Sequence, residues 1–140
     1  MHSHDGIQDS FTRLSAPSAL YEHLRRELSR CERDGSALWL IRFVLKAHSP
    51  YEFEVLSFAQ TLHEICRVED LCARTGELEF ILVLRSDEKG AHIALRRIWE
   101  KWQIDPEYSA LECSSISSNT GEGALELLNR LELEPTLTSL

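Results

Sequence analysis

The segment Ala37–Lys46, ALWLIRFVLK, constrains the fold most. It is rich in β-formers, and its apolar residues do not alternate with polar ones, so a half-solvated strand does not suit it. It reads as a central strand covered on both faces. Arg42 breaks the run and must find water or an anion. A second apolar run, Leu78–Leu84 (LEFILVL), reads as a neighbouring strand. Thr75-Gly76-Glu77 is the expected hairpin turn between it and a short strand over Leu71–Arg74.

Helical periodicity surrounds these strands. Leu20, Leu24, Leu28 and Cys31 recur at helical spacing, with Pro17 at the start, Ser15 as expected cap and Asp34-Gly35 as the stop. Pro50 marks a turn, and Val55, Ala59, Leu62 and Cys66 define a second helix ending near Arg67. A third covers about Glu88–Trp102, with Ala91, Leu95, Ile98 and Trp102 inward and Asp105-Pro106 after it. Tyr108–Ser115 reads as a weaker strand. Asn119 and Glu122 resemble a capping box before Leu125, Leu128 and Leu131. The central order is strand, helix, strand, strand, helix, strand. That is the split βαββαβ order of a ferredoxin-like α+β fold, with an antiparallel sheet and both crossover helices on one face. Leading and trailing helices would cover more of the sheet. The expected divisions are an irregular arm over 1–14, one domain over 15–134 and a frayed tail over 135–140.

Charge and cysteine content narrow the functions. The 140 residues carry a net charge of −8 with 23 acidic side chains, which argues against non-specific nucleic-acid binding. No apolar run approaches the roughly 20 residues of a membrane span, and the start lacks a secretion signal. The expected setting is a bacterial or other cytoplasm. Cys31, Cys66, Cys72 and Cys113 form no C-x-x-C pair and read as buried free thiols. His2, His4 and Asp5 offer no fixed metal geometry, and no metal or other cofactor is expected. Glu52 and Glu54 read as a solvated face. Trp39, Trp99 and Trp102 read as packing residues, and no nucleophile elbow surrounds Ser114, Ser115, Ser117 and Ser118.

Three local sequences go further. They are Asp9-Ser-Phe-Thr12-Arg-Leu14, the strand end Ile41-Arg-Phe-Val-Leu-Lys46, and the hairpin Arg74-Thr-Gly76-Glu-Leu-Glu79-Phe80. In order and spacing the chain resembles, over roughly residues 9–131, the GGDEF domains, the family of cyclases that make cyclic di-GMP from two GTP. Within R-x-G-G-D-E-F the matches are Gly76, Glu79 and Phe80. The departures concern chemistry. Arg42 occupies the place where the resemblance implies an acidic metal ligand, and a cation repels Mg²⁺. Leu78 replaces the second acidic position and Glu77 the second glycine, where backbone should approach phosphate. Lys46 is followed by Ala-His-Ser-Pro-Tyr-Glu, without the family's guanine-reading asparagine. The last helix lacks the family's basic ending. The resemblance therefore implies a degenerate, non-enzymatic module with no catalytic residues.

One family feature is retained. The resemblance implies an R-x-x-D product site five residues before the signature, and Arg67-Val-Glu-Asp70 stands at that spacing. An arginine fork can bond a guanine edge or phosphate, and a carboxylate can accept from guanine N–H groups. Both side chains are expected to be accessible. A surface ion pair closing the helix end is the competing reading. Glu69 and the net charge oppose a dianion, and Arg96 and Arg97 are candidate helpers. The leading expectation is a signalling module that binds cyclic di-GMP at Arg67 and Asp70 and regulates a protein partner, with homodimerisation compatible. The alternative is a protein-interaction scaffold without nucleotide binding.

Overall fold

The computed structural model describes residues 7–138. His2, His4 and Asp5, for which no fixed metal geometry is expected, lie outside that range. Eight elements follow in order: α1 (Pro17–Asp34), β1 (Trp39–Leu45), α2 (Glu52–Ile65), β2 (Leu71–Gly76), β3 (Glu79–Leu84), α3 (Glu88–Gln103), β4 (Leu111–Ser117) and α4 (Ala124–Leu133). The strands form one sheet in the order β2-β3-β1-β4, with every neighbouring pair antiparallel. This is the expected split βαββαβ arrangement.

Both sheet faces are covered, which explains the nearly continuous apolar run of β1. Ile41, Phe43 and Leu45 point to α2 and α3, where Phe58 packs against Phe43, Phe80 and Trp102 at centroid separations of 5.4, 5.0 and 5.2 Å. Trp102 also stacks on Tyr108 and donates its indole N–H to the Ser109 carbonyl at 2.9 Å. Leu38, Leu40, Ile81, Val83 and Ile116 form the opposite core with α1 and α4. Trp102 is fully packed, while Trp39 and Trp99 are half-buried beside the first core.

Several boundaries differ from expectation. Ser15 does not cap α1; Ala16 holds that position, and Pro17 follows as the first helical residue. Ser15 instead bridges β2, donating to the Cys72 carbonyl and accepting from the Arg74 amide, both at 3.0 Å. Gly35 closes α1 with φ 73°, a left-handed conformation that glycine adopts without side-chain strain, and its amide reaches the Cys31 carbonyl. The hairpin turn is Glu77-Leu78 rather than Thr75-Gly76-Glu77, because β2 extends to Gly76 through an irregularity after Arg74. β4 begins at Leu111, three residues later than Tyr108.

Only half of the expected Asn119–Glu122 capping box forms. Glu122 accepts from the Asn119 amide at 2.9 Å, but α4 starts a turn later, where Glu126 accepts from the Gly123 amide at 3.0 Å. The tail is held rather than frayed up to Leu137, which exchanges two backbone bonds with Cys113 at 2.7 and 2.9 Å. Both edges of the sheet, β2 and β4, are thus covered by flanking chain, which blunts edge-to-edge pairing.

Candidate ligand cleft

The first candidate region is the β2–β3 hairpin and the strand beside it. β1 and β3 pair so that Arg42 lies opposite Ile81 and diagonally across from Glu79 on the same face. The Arg42 guanidinium donates through Nε and Nη2 to Glu79 Oε1 at 3.1 and 2.9 Å, and Thr75 donates to the other Glu79 oxygen at 2.7 Å. The anion that Arg42 requires is therefore internal. Arg74 holds the turn by donating to the Glu77 carbonyl at 2.9 Å and to Asp9 at 3.2 Å. Thr12 donates to the same Asp9 oxygen through its amide and hydroxyl. Burial alone would raise the Asp9 carboxyl, but the bonds from Thr12 and Arg74 outweigh it and hold it below the ordinary value.

A divalent cation does not fit these residues. The place the resemblance assigns to a metal carboxylate holds the Arg42 cation, and Glu79 is already neutralised by it. Leu78 packs half-buried against the α2/α3 core, with its carbonyl accepting from the Leu45 amide at 2.9 Å. Glu77 is exposed and accepts from the Tyr51 hydroxyl. A Cβ on Gly76 would meet only the Glu79 Cβ, at an ordinary 3.5 Å, so the local geometry does not require glycine there. Phe80 is a core residue. Lys46 lies 3.9 Å from Glu112 at the wet end of β1. Among the described residues no group of three His, Cys, Asp or Glu side chains could hold a metal ion.

The second region is the α2–β2 junction. The Asp70 carboxylate accepts from the Arg67 amide at 3.2 Å, and from the Arg67 guanidinium at 2.9 and 3.3 Å through two nitrogens. Arg67 Nη2 also donates to the Arg85 carbonyl at 3.1 Å, joining the end of α2 to the end of β3. The hydrogen bond that Arg67 donates to Asp70 first, and the Asp70 charge second, raise the Arg67 pKa further. Asp70 is not accessible as expected. Its side chain is 1% exposed and turned inward onto Arg67, whose own side chain is 53% exposed. Glu69 adds a 3.5 Å contact to the same guanidinium.

This clasp lines a cavity of about 210 Å³ between the end of α2, the end of β3 and the first turns of α3. Its walls include Ile65, Leu84, Ser86, Gly90, Ile93 and Arg97. Arg97 is exposed and has no salt-bridge or hydrogen-bond partner among the described residues. Of the two expected helpers, Arg97 joins the cleft, while Arg96 lines a separate hollow with Trp99, Gln103 and Ile104. Gly90 leaves room in the wall, because a Cβ there would collide with the Ser86 hydroxyl. Arg85 is held away from the cleft by Glu27, to which it donates at 2.6 and 2.5 Å.

Sequence reasoning missed Arg85, Ser86 and Gly90. The available signal was a cation ending an apolar strand immediately before a helix cap, since Asp87 accepts from the Gly90 amide at 2.8 Å. Glu54 is not a solvated carboxylate as expected; it accepts from the Ser109 amide and hydroxyl at 2.7 and 2.9 Å.

No family model and no curated protein matches this sequence. Solved structures do. The chain is similar to the GGDEF domain of DgcB from Caulobacter crescentus in complex with c-di-GMP, with TM-score 0.84 and 16% identity over 94% of this chain and 86% of that one. It is similar to the FimX GGDEF domain from Pseudomonas aeruginosa, with TM-score 0.76 and 17% identity over 89% and 88%. It is also similar to the diguanylate cyclase SiaD from Pseudomonas aeruginosa in complex with its activator SiaC, with TM-score 0.78 and 22% identity over 89% of this chain and 55% of that one. The strand order, the two helical layers and these superpositions agree: the chain has the fold of a GGDEF domain.

Proposed function

We propose that this chain is a catalytically inactive GGDEF-type signalling module that receives cyclic di-GMP at the Arg67–Asp70–Arg97 cleft and passes its occupancy to a protein partner. The observation that carries this reading is the convergence of Arg97, which has no ion-pair or hydrogen-bond partner among the described residues, with the Arg67–Asp70 clasp on one cavity. In an acidic chain, an unneutralised guanidinium beside a second one is a natural seat for phosphate. Binding exchanges partners: Arg67 leaves Asp70 to meet a guanine edge or phosphate, and Asp70 accepts from guanine N–H groups in its place. The inactivity rests on the hairpin. Phosphoryl transfer needs metal ions and positioned charge, and here an arginine–glutamate pair takes the place of a metal carboxylate. The neighbours solved with c-di-GMP and with an activator protein support the two kinds of partner by analogy.

A second reading, a protein-interaction module without nucleotide binding, is favoured by the inward turn of Asp70 and by Val68 and Ile93, which stand exposed at the same junction. Thermal unfolding with added cyclic di-GMP separates the two. A ligand at a hundred times its Kd stabilises the native state by about 2.7 kcal/mol, a readily measured rise in Tm. The expected result is such a rise for the native chain and none for Arg97→Ala. No rise for the native chain supports the interaction reading. Release of pyrophosphate from GTP with Mg²⁺ overturns the inactivity.

A further inference from the structure

We propose that Cys66 and Cys72 are a redox dithiol whose oxidation to an intramolecular disulfide locks the turn carrying Arg67 and Asp70. The two cysteines bracket that turn and converge on one backbone group. Cys66 follows the last residue of α2, where its amide donates to the Leu62 carbonyl at 2.8 Å. The Cys72 thiol, on the second residue of β2, donates to the same carbonyl oxygen at 3.9 Å. The Cys66 thiol reaches the Arg67 carbonyl at 3.7 Å. Both side chains pack against the α2/α3 core.

Their accessibility is complementary. Cys66 is half-buried, whereas Cys72 is 7% exposed. The neighbouring Cys72 thiol lowers the Cys66 pKa, and Cys66 together with burial raises that of Cys72. Arg67 adds a smaller stabilisation of the Cys66 thiolate, which Asp70 and Glu69 oppose. A half-buried thiol of lowered pKa beside a buried thiol is the arrangement of an attacking and a resolving cysteine. Cys31 and Cys113 do not share it. They lie in opposite cores, and burial pushes the Cys113 thiol up to about 11.

The oxidant is a low-molecular-weight disulfide such as oxidised glutathione. The Cys66 thiolate attacks one of its sulfurs, forming a mixed disulfide and releasing one thiolate. Cys72 loses its proton to solvent and attacks the Cys66 sulfur, closing the protein disulfide and releasing the second thiolate. The protein loses two electrons and two protons, and the reagent becomes two thiols. The resulting ring spans Cys66 to Cys72 and fixes the clasp, so that Arg67 no longer swings from Asp70. This effect on ligand binding rests on the cleft reading above; disulfide formation does not.

The test treats the reduced full chain with oxidised glutathione, blocks the remaining thiols and maps the peptides by mass. The expected product joins Cys66 to Cys72 with the loss of two hydrogens and leaves Cys31 and Cys113 free. Amide hydrogens of 67–71 then exchange about tenfold more slowly. Cys66→Ser, a small change at a half-buried position, removes the cross-link and leaves Cys72 unmodified. A lasting glutathione adduct on Cys66, cross-links through Cys31 or Cys113, no reaction at Cys66, or unchanged exchange in 67–71 each overturns the proposal. Thermal unfolding with cyclic di-GMP is run on both forms. A smaller rise in Tm after oxidation supports the lock. An equal rise in both forms overturns the lock, and no rise in either form refutes the cleft reading alone.

Discussion

Arg97 and Arg67 separate ligand binding from stability, because their partners differ. Arg97 is exposed and unpaired among the described residues, so Arg97→Ala is expected to change unfolding free energy by less than about 0.5 kcal/mol. Arg67 neutralises a carboxylate whose side chain is 1% exposed, so Arg67→Ala is expected to cost about 1–3 kcal/mol by leaving Asp70 buried with fewer partners. Urea denaturation of both variants checks the difference; equal losses would mean that Asp70 draws little from the clasp. Glu27 is more deeply committed. It accepts from Arg85 through both oxygens and from Arg30 at 3.1 Å, and it is 5% exposed. Glu27→Gln leaves the Arg30 and Arg85 guanidinium groups, 28% and 43% exposed, without their anion, and the expected loss in the same measurement is about 1–2 kcal/mol.

At the scale of elements, the hairpin keeps its shape through side chains rather than through glycine. Gly76→Ala is expected to cost less than about 1 kcal/mol in thermal unfolding, since the added methyl meets only an ordinary contact. Glu54→Ala removes two bonds that hold the loop after α3 beneath Trp102, and is expected to cost about 1–2 kcal/mol. These two positions also show what was legible in advance. Helices, strands and their order followed from periodicity, which is a local property: Leu20, Leu24 and Leu28 repeat on one face of α1, and β1 carries almost no polar position. Long-range pairings were not legible. Nothing near Glu54 in the chain announces Ser109, and nothing near Ser15 announces β2. Arg67 and Asp70 could be singled out by spacing, but the bond that ties Arg67 to the Arg85 carbonyl just after β3 spans 18 residues and leaves no local signal. The same holds for Cys66 and Cys72, whose relation depends on the Leu62 carbonyl between them.

For the whole molecule, the carboxylates with engaged partners set the acid limit of stability. The Glu27 pKa is lowered, first by the hydrogen bond from Arg85, and the Glu122 pKa first by that from Arg130. In both cases the folded value lies below the ordinary 4.5, so the unfolded chain binds protons before the folded one. Their stabilisation is therefore complete above that value and lost as pH falls through the folded values. Thermal unfolding as a function of pH is expected to decline below about 4.5, and Glu27→Gln to flatten part of that decline. A decline beginning near neutrality would assign acid sensitivity to other groups. The fold itself, with both sheet faces covered and both edges flanked, makes the α2–β2–α3 corner a place where the Arg67–Asp70 clasp and Arg97 meet a cavity.

Calorimetric titration of the purified, reduced chain with cyclic di-GMP, beside a parallel titration with GTP and Mg²⁺, tests this account most directly. The account predicts low-micromolar binding of cyclic di-GMP, about −8 kcal/mol, lost in Arg97→Ala, and no heat with GTP and Mg²⁺. Silence with cyclic di-GMP, or saturable Mg²⁺-dependent binding of GTP at the hairpin, would contradict it.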